Sequence, residues 1–293
     1  MKVLIIGGTG QLGSQIYNIL KTGASELGSI SRIYSLAEII SVGADDLNII
    51  DLNSVREYIS KIKPNVIINS AAYTNVDGCE ENYDLAFKVN SLGARNVAIG
   101  CEDIGAKLIH ISTDYVFEGK GVEPYKESDI PCPISAYGKT KFLGEEYVKS
   151  FSSRYFIVRT AWLYGYNGKN FVKTILSVAK YKGYLEVVDD QRGNPTNAED
   201  LAYHILKLAL TEEYGIYHCT GTGECSWYDF ACKIVECAGI DCIVKAIKSD
   251  KLTRTAKRPA YSSLDNMMLR CSVGDKMRQW EDALKVFVDK IKM

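Results

Sequence analysis

At 293 residues, 46% of them hydrophobic, the chain is long enough to bury one large α/β core or a core with a smaller lobe. Its 35 Lys and Arg against 36 Asp and Glu leave a formal net charge of −1, which argues against the broad basic field of a nucleic-acid binder or of a protein held on an anionic membrane. The opening MKVLIIGG has too few apolar residues before its glycines for a signal peptide or a membrane span, and nine scattered cysteines with no Cys-x-x-Cys pair predict reduced, mostly buried thiols in a cytosolic enzyme.

A short apolar strand over residues 3–6 runs straight into GGTGQLG, in which Gly7, Gly10 and Gly13 open the first helix. Glycines there let the backbone approach a pyrophosphate seated on the helix N-terminus, and the spacing is GxxGxxG rather than the simpler GxGxxG. The helix carries an apolar stripe of Leu12, Ile16, Ile19 and Leu20, and a polar insertion over 22–35 delays the second strand to 38–42. An acidic residue at the end of that strand would hold the adenosine ribose and select NAD. Gly43 stands there instead, and Asp45 and Asp46 follow in a loop that reads equally as an adenine contact or as a solvated turn.

A second helix shows Val55, Tyr58, Ile59 and Ile62, with Asn53 or Ser54 as its cap and Pro64 as its stop. The third strand, 66–69, ends in Asn69-Ser70-Ala71-Ala72-Tyr73, small residues that let a cofactor pass close to the sheet edge. The fourth, 108–112, ends in Ser112-Thr113-Asp114. A helix follows with Tyr137 and Lys141 four residues apart, hence on one face, where an ammonium would lower the phenol pKa and suit it to exchange a proton with a carbonyl oxygen. Tyr17 with Lys21 and Tyr203 with Lys207 share this spacing but no strand-end Ser-Thr, and are expected to be helix-surface pairs.

After a fifth strand at 156–159 the alternation loosens beyond Tyr164 into loops and short elements, with a strand near 215–219 and an amphipathic last helix carrying Trp280, Leu284, Phe287, Val288 and Ile291. The expected architecture is α/β: a Rossmann-type, doubly wound parallel sheet with a smaller C-terminal substrate-binding lobe. Residues 1–163 form the NAD(P)-binding part and 164–293 mainly the substrate lobe, interleaved because the strand near 215–219 returns to the main sheet. In that lobe the Trp162 indole can stack on a sugar or base, and Arg254, Lys257 and Arg258 either meet a diphosphate or form a solvated basic turn.

With these residues placed, the chain resembles the dTDP-4-dehydrorhamnose reductase family of the extended short-chain dehydrogenases/reductases. The likeness covers nearly the whole chain: GGTGQLG, the run from Ser112 to Phe117, Ala136 to Lys141, Arg159 to Gly165, Asn194-Pro195-Thr196, and Arg258-Pro259 with Ser262 and Leu264. It implies NAD(P)H-dependent reduction of the C4 ketone of dTDP-4-dehydro-6-deoxy-L-mannose, with Tyr137 as proton donor, Lys141 on the nicotinamide ribose and Thr113 on the sugar oxygen. The cofactor, NADPH or NADH, would lie along Gly7, Gly10, Gln11, Leu12 and Gly13, beside Asp46 and Leu47 at the adenine, along Ala71, Ala72 and Tyr73, and against Ser112, Tyr137 and Lys141. The dTDP-sugar would meet Thr113, Asp114, Tyr137, Trp162 and Arg258.

A homodimer is the assembly to test. Some relatives dimerise around magnesium held by glutamates, but Gln15 occupies one matching position here, so no metal is expected. A nucleotide-sugar dehydratase would need a second carboxylate where Tyr115 follows Asp114. An epimerase, or a non-catalytic subunit like the regulatory subunit of methionine adenosyltransferase, shares the fold.

Overall fold

The computed structural model describes residues 1–292. Six strands form one all-parallel sheet: β1 (Lys2–Ile6), β2 (Glu38–Val42), β3 (Val66–Asn69), β4 (Lys107–Thr113), β5 (Tyr155–Thr160) and, far along the chain, β7 (Gly215–His218). Their spatial order is β7-β5-β4-β3-β1-β2. Strand direction of travel reverses between β1 and β3, the switch point at which such sheets open a crevice beyond the strands' C-terminal ends. The central strands are buried on both faces, which is why they read as unbroken apolar runs rather than as alternating ones.

Two helical layers supply that burial. On one face α1 (Gln11–Thr22) packs beside α7 (Ala198–Leu208), with Ile16 and Ile19 against Leu201 and Ile205 in one cluster. On the other lie α2 (Leu52–Ile62), α4 (Gly93–Ile104) and α5 (Ala136–Phe151). The cap of α2 is Asp51, whose carboxylate accepts from the Asn53 and Ser54 N–H groups, so the residues expected as caps are the ones being capped.

Residues beyond Tyr164 are more regular than the sequence suggested. Helices α6 (Phe171–Lys182), α8 (Trp227–Ala238) and α9 (Trp280–Lys292) enclose a second core around Phe230 and Phe287, and β6 (Tyr184–Val188) pairs in parallel with β8 (Ile243–Ile247). The Tyr203-Lys207 pair does sit in a helix, α7, but ten of the eleven residues of that helix are buried. All nine cysteines are free, but only Cys79, Cys101, Cys219 and Cys225 are buried. No helix among the described residues is long and apolar enough to cross a membrane.

Candidate active site

The turn from β1 into α1 is shaped by what its glycines lack. Gly7 adopts φ +80°, and a Cβ there would stand 2.7 Å from the Ala71 nitrogen; a Cβ on Gly13 would stand 2.3 Å from the Gly7 carbonyl oxygen. A Cβ on Gly10, by contrast, would meet nothing nearer than the Gly7 oxygen at 3.2 Å, so that side of the loop faces open space. Gly10 is also the N-cap of α1 and offers no side-chain cap, which leaves the first amides of the helix free toward the cavity. A tight loop, an uncapped helix start and an open approach together fit a dinucleotide diphosphate.

That loop floors a cavity of about 620 Å³ along the C-terminal ends of β1, β3, β4 and β5, reaching from Gly10–Gly13 past Ser70 and Ala72 to Tyr137, Lys141, Trp162 and Arg258. One of its walls is the start of α5, which carries Tyr137 and Lys141. Ser135 caps this helix by accepting from the Gly138 N–H at 3.1 Å, and Glu80 accepts the Ala136 N–H at 2.8 Å, which fixes the turn that carries Tyr137. Gly138 is required there because a Cβ would lie 2.2 Å from the Tyr115 carbonyl oxygen. One turn on, the buried Lys141 ammonium donates to the Ile111 carbonyl at 2.6 Å, and burial, opposed by the nearby Glu145, pushes its pKa down to about 8.

Across the cavity, the Thr113 hydroxyl donates to Asp114 Oδ1 at 2.9 Å and lies near enough to Tyr137 to favour its phenolate. Burial raises the Tyr137 pKa above its ordinary value, the opposite of the lowering that the Tyr-Lys spacing suggested, so the phenol is held in its protonated form. Asp114, 2% exposed with Oδ2 unpartnered, is likewise pushed up, to about 6, by burial that the Ser262 and Thr113 hydroxyls only partly offset. Tyr115 packs edge-on against Tyr137 with ring centroids 5.5 Å apart.

The RmlD substrate binding domain family matches this chain over residues 1–293. A dTDP-4-dehydrorhamnose reductase structure from Clostridium acetobutylicum superposes with a TM-score of 0.94 at 46% identity, covering 100% of both chains. The chain belongs to the dTDP-4-dehydrorhamnose reductase family. A family structure from Bacillus anthracis, solved in complex with NADP, superposes with a TM-score of 0.92 at 41% identity over 99% of both chains. The spore coat polysaccharide biosynthesis protein SpsK of Bacillus subtilis is 39% identical over 99% of this chain and 97% of its own length.

The remaining expected residues fall in several places. Ala71 and Tyr73 lie in the segment that follows β3, and the Tyr73 peptide is gripped on both sides by the Asn90 side chain, at 2.8 and 3.1 Å. Asp46 spends a carboxylate oxygen on the Gly43 N–H at 2.8 Å, while the Leu47 side chain is buried in the core. The Ser112 hydroxyl donates to Glu145 at 2.5 Å, one contact of a buried network in which Arg159 pairs with Glu145 at 2.7 Å. Trp162 lines the cavity at a left-handed φ of +46°, but one face of its indole is taken by Trp227, ring to ring at 3.6 Å, so that face is closed to a sugar or base. Arg258 reaches the cavity; Lys257 is exposed and outside its lining.

Tyr203 is buried rather than on a helix surface, and the Lys207 ammonium donates to the Val273 carbonyl. Gln15 donates its amide to Glu199, whose other oxygen accepts the Glu26 N–H at 3.0 Å. Sequence reasoning missed Trp227, Tyr115, Asp77 and Asn90. Asn90 sits in a π-helical turn, Lys88–Leu92, that no periodicity announces, though such turns cluster at functional sites.

Proposed function

We propose that the protein reduces the C4 ketone of dTDP-4-dehydro-6-deoxy-L-mannose to dTDP-L-rhamnose, with NADPH as reductant. The observation that carries this reading is the convergence of Thr113, Tyr137 and Lys141 on one cavity whose floor is the uncapped glycine loop. When bound, the reduced nicotinamide supplies the hydride that adds to the carbonyl carbon. Tyr137, kept protonated by burial, gives its proton to the carbonyl oxygen as that oxygen gains charge, so the C=O becomes CH–OH and a phenolate remains. Lys141, one helical turn away, places a cation near that phenolate, and the neighbouring Thr113 hydroxyl favours the same charged form.

The nucleotide end is supported by the second lobe. Arg258 and Trp227 line both the main cavity and a smaller neighbour of about 260 Å³ walled by Phe171, Leu185 and Val187, and the Arg258 Nη1 atom is buried without a partner. An unpaired guanidinium N–H between a sugar-sized and a base-sized space suits a diphosphate. The test is oxidation of NADPH, and separately of NADH, by the wild type and by Tyr137→Phe with the keto-sugar made in situ. Turnover in the wild type, reduced by two or more orders of magnitude in Tyr137→Phe, is expected. A folded, cofactor-binding wild type that leaves the keto-sugar untouched would overturn the assignment.

A further inference from the structure

Between Leu252 and Ala260 the chain runs as a strap without helix or strand, bringing Arg258 to the substrate cavity and Leu252 and Arg254 to its smaller neighbour. It carries Arg254, Lys257 and Arg258, with Lys251 just before it. One end is pressed against Gly119, where a Cβ would stand 2.5 Å from Pro259. Among the described residues, the hydrogen bonds that positions 253–259 make to the rest of the protein run to one side chain, Asp77. Its Oδ1 accepts the Ala256 N–H at 3.0 Å and its Oδ2 accepts Arg258 Nη2 at 2.9 Å. Burial works against its charge, but these donors and the nearby Arg254 hold the Asp77 carboxyl below its ordinary range.

The origin of Asp77 gives the contact its meaning. It lies in the first turn of α3 (Val76–Glu81), six residues beyond Ala71 on the cofactor side, and Glu80, three residues on, is the carboxylate that accepts the Ala136 N–H beside Tyr137. One helical turn therefore fastens the catalytic helix through Glu80 and the substrate strap through Asp77. Arg254, Lys257 and Arg258 against one carboxylate leave the strap an excess positive charge, and Arg258, which lines the cavity, keeps a buried Nη1 without a partner while Asp77 occupies Nη2.

We propose that Asp77 is a positioning residue that latches the 252–260 strap over the cavity and aims Arg258 at the diphosphate of the substrate. The diphosphate part of this statement rests on the nucleotide-sugar reading above; the latch itself does not. The strap supplies its own reporter: Lys251, Arg254 and Lys257 are exposed, but trypsin must draw the backbone around them into an extended form, so cleavage rises with the population in which the strap has come loose.

Ligand-free wild type, Asp77→Asn, Asp77→Ala and Asp77→Glu would be digested side by side and the strap peptides followed by mass spectrometry. Asp77→Asn is expected to be cut about fivefold faster and Asp77→Ala about tenfold faster, with Asp77→Glu near wild type and all four melting together. Steady-state kinetics should show KM for the keto-sugar nucleotide rising by about tenfold in Asp77→Asn with kcat changed less than about twofold. Unchanged strap cleavage would overturn the latch, and faster cleavage with unchanged KM would overturn the aiming of Arg258. A loss confined to kcat would also overturn it. Inactive wild type with strap cleavage still dependent on Asp77 would count against the reductase reading alone.

Discussion

Lys141 shows how spacing can single out a residue without fixing its state. Its spacing from Tyr137 marks it from sequence, yet its ammonium is 2% exposed and turned to the Ile111 carbonyl, with a pKa pushed down to about 8 chiefly by burial. The folded protein thus releases this proton more readily than the unfolded chain. Holding the charge costs stability below about pH 8, and the cost is relieved as pH rises from there toward the ordinary lysine value of 10.5. Cofactor binding should follow the opposite sense, because an anionic dinucleotide prefers the ammonium. NADPH affinity, measured by fluorescence titration, is expected to be flat from pH 6.5 to 7.5 and to weaken above about 8, approaching tenfold per pH unit, or about 1.4 kcal/mol. Lys141→Met should bind weakly and lack this slope. A wild-type affinity that stays constant through pH 9.5 would place the titration elsewhere. Tyr137 carries the same lesson: the Tyr-x-x-x-Lys spacing identifies the phenol, but only burial decides that its pKa goes up.

At the scale of elements, the strands were legible because a sheet buried on both faces leaves apolar runs bounded by turn residues, and the five early strands lie within one residue of their expected ends. The π-helical turn around Asn90 was not, since it differs from an α-helix by a shift of hydrogen-bond register alone. The glycine loop was legible in type, and the structure now separates its members. Gly13→Ala would drive a Cβ to 2.3 Å from the Gly7 carbonyl oxygen and must displace backbone, whereas Gly10→Ala meets nothing nearer than 3.2 Å and projects into the space reserved for a ligand. Gly13→Ala is therefore expected to lose both stability, by roughly 1–3 kcal/mol, and cofactor affinity. Gly10→Ala should keep its denaturation midpoint within about 0.5 kcal/mol while weakening NADPH at least tenfold, a split that thermal melts with and without cofactor would expose. Equal effects from the two substitutions would mean that Gly10 serves the turn and not the ligand.

The whole molecule does not divide where its functions do. The sequence predicts cofactor residues before position 163 and most of the substrate lobe after it, interleaved through a strand near 215–219, and the large sheet does take its edge strand β7 from residues 215–218, paired along β5 from Phe156 to Arg159. Helix α7 from the same later half covers the face of β1 and β3, with Leu201, Ile205 and Leu208 in one cluster with Val3, Ile5 and Ile68. Arg278 then ties the end of the chain to both parts, pairing with Asp200 on α7 and, at 2.7 Å, with Glu26 from the insertion after α1. A fragment of residues 1–163 would leave one sheet face without α7 and expose the edge of β5, an apolar surface that also invites strand pairing between copies. Such a fragment is expected to be insoluble, or to show far-UV helix signal without fixed near-UV signal and to bind NADPH no better than free glycine-loop peptide. The intact chain should instead unfold in a single step, with fluorescence and far-UV signals coincident in urea, because the core of the first half is completed by strand β7 and helix α7 of the second. A soluble 1–163 fragment with native near-UV signal and measurable NADPH affinity would show that the first five strands hold their own core and that α7 is only a cover.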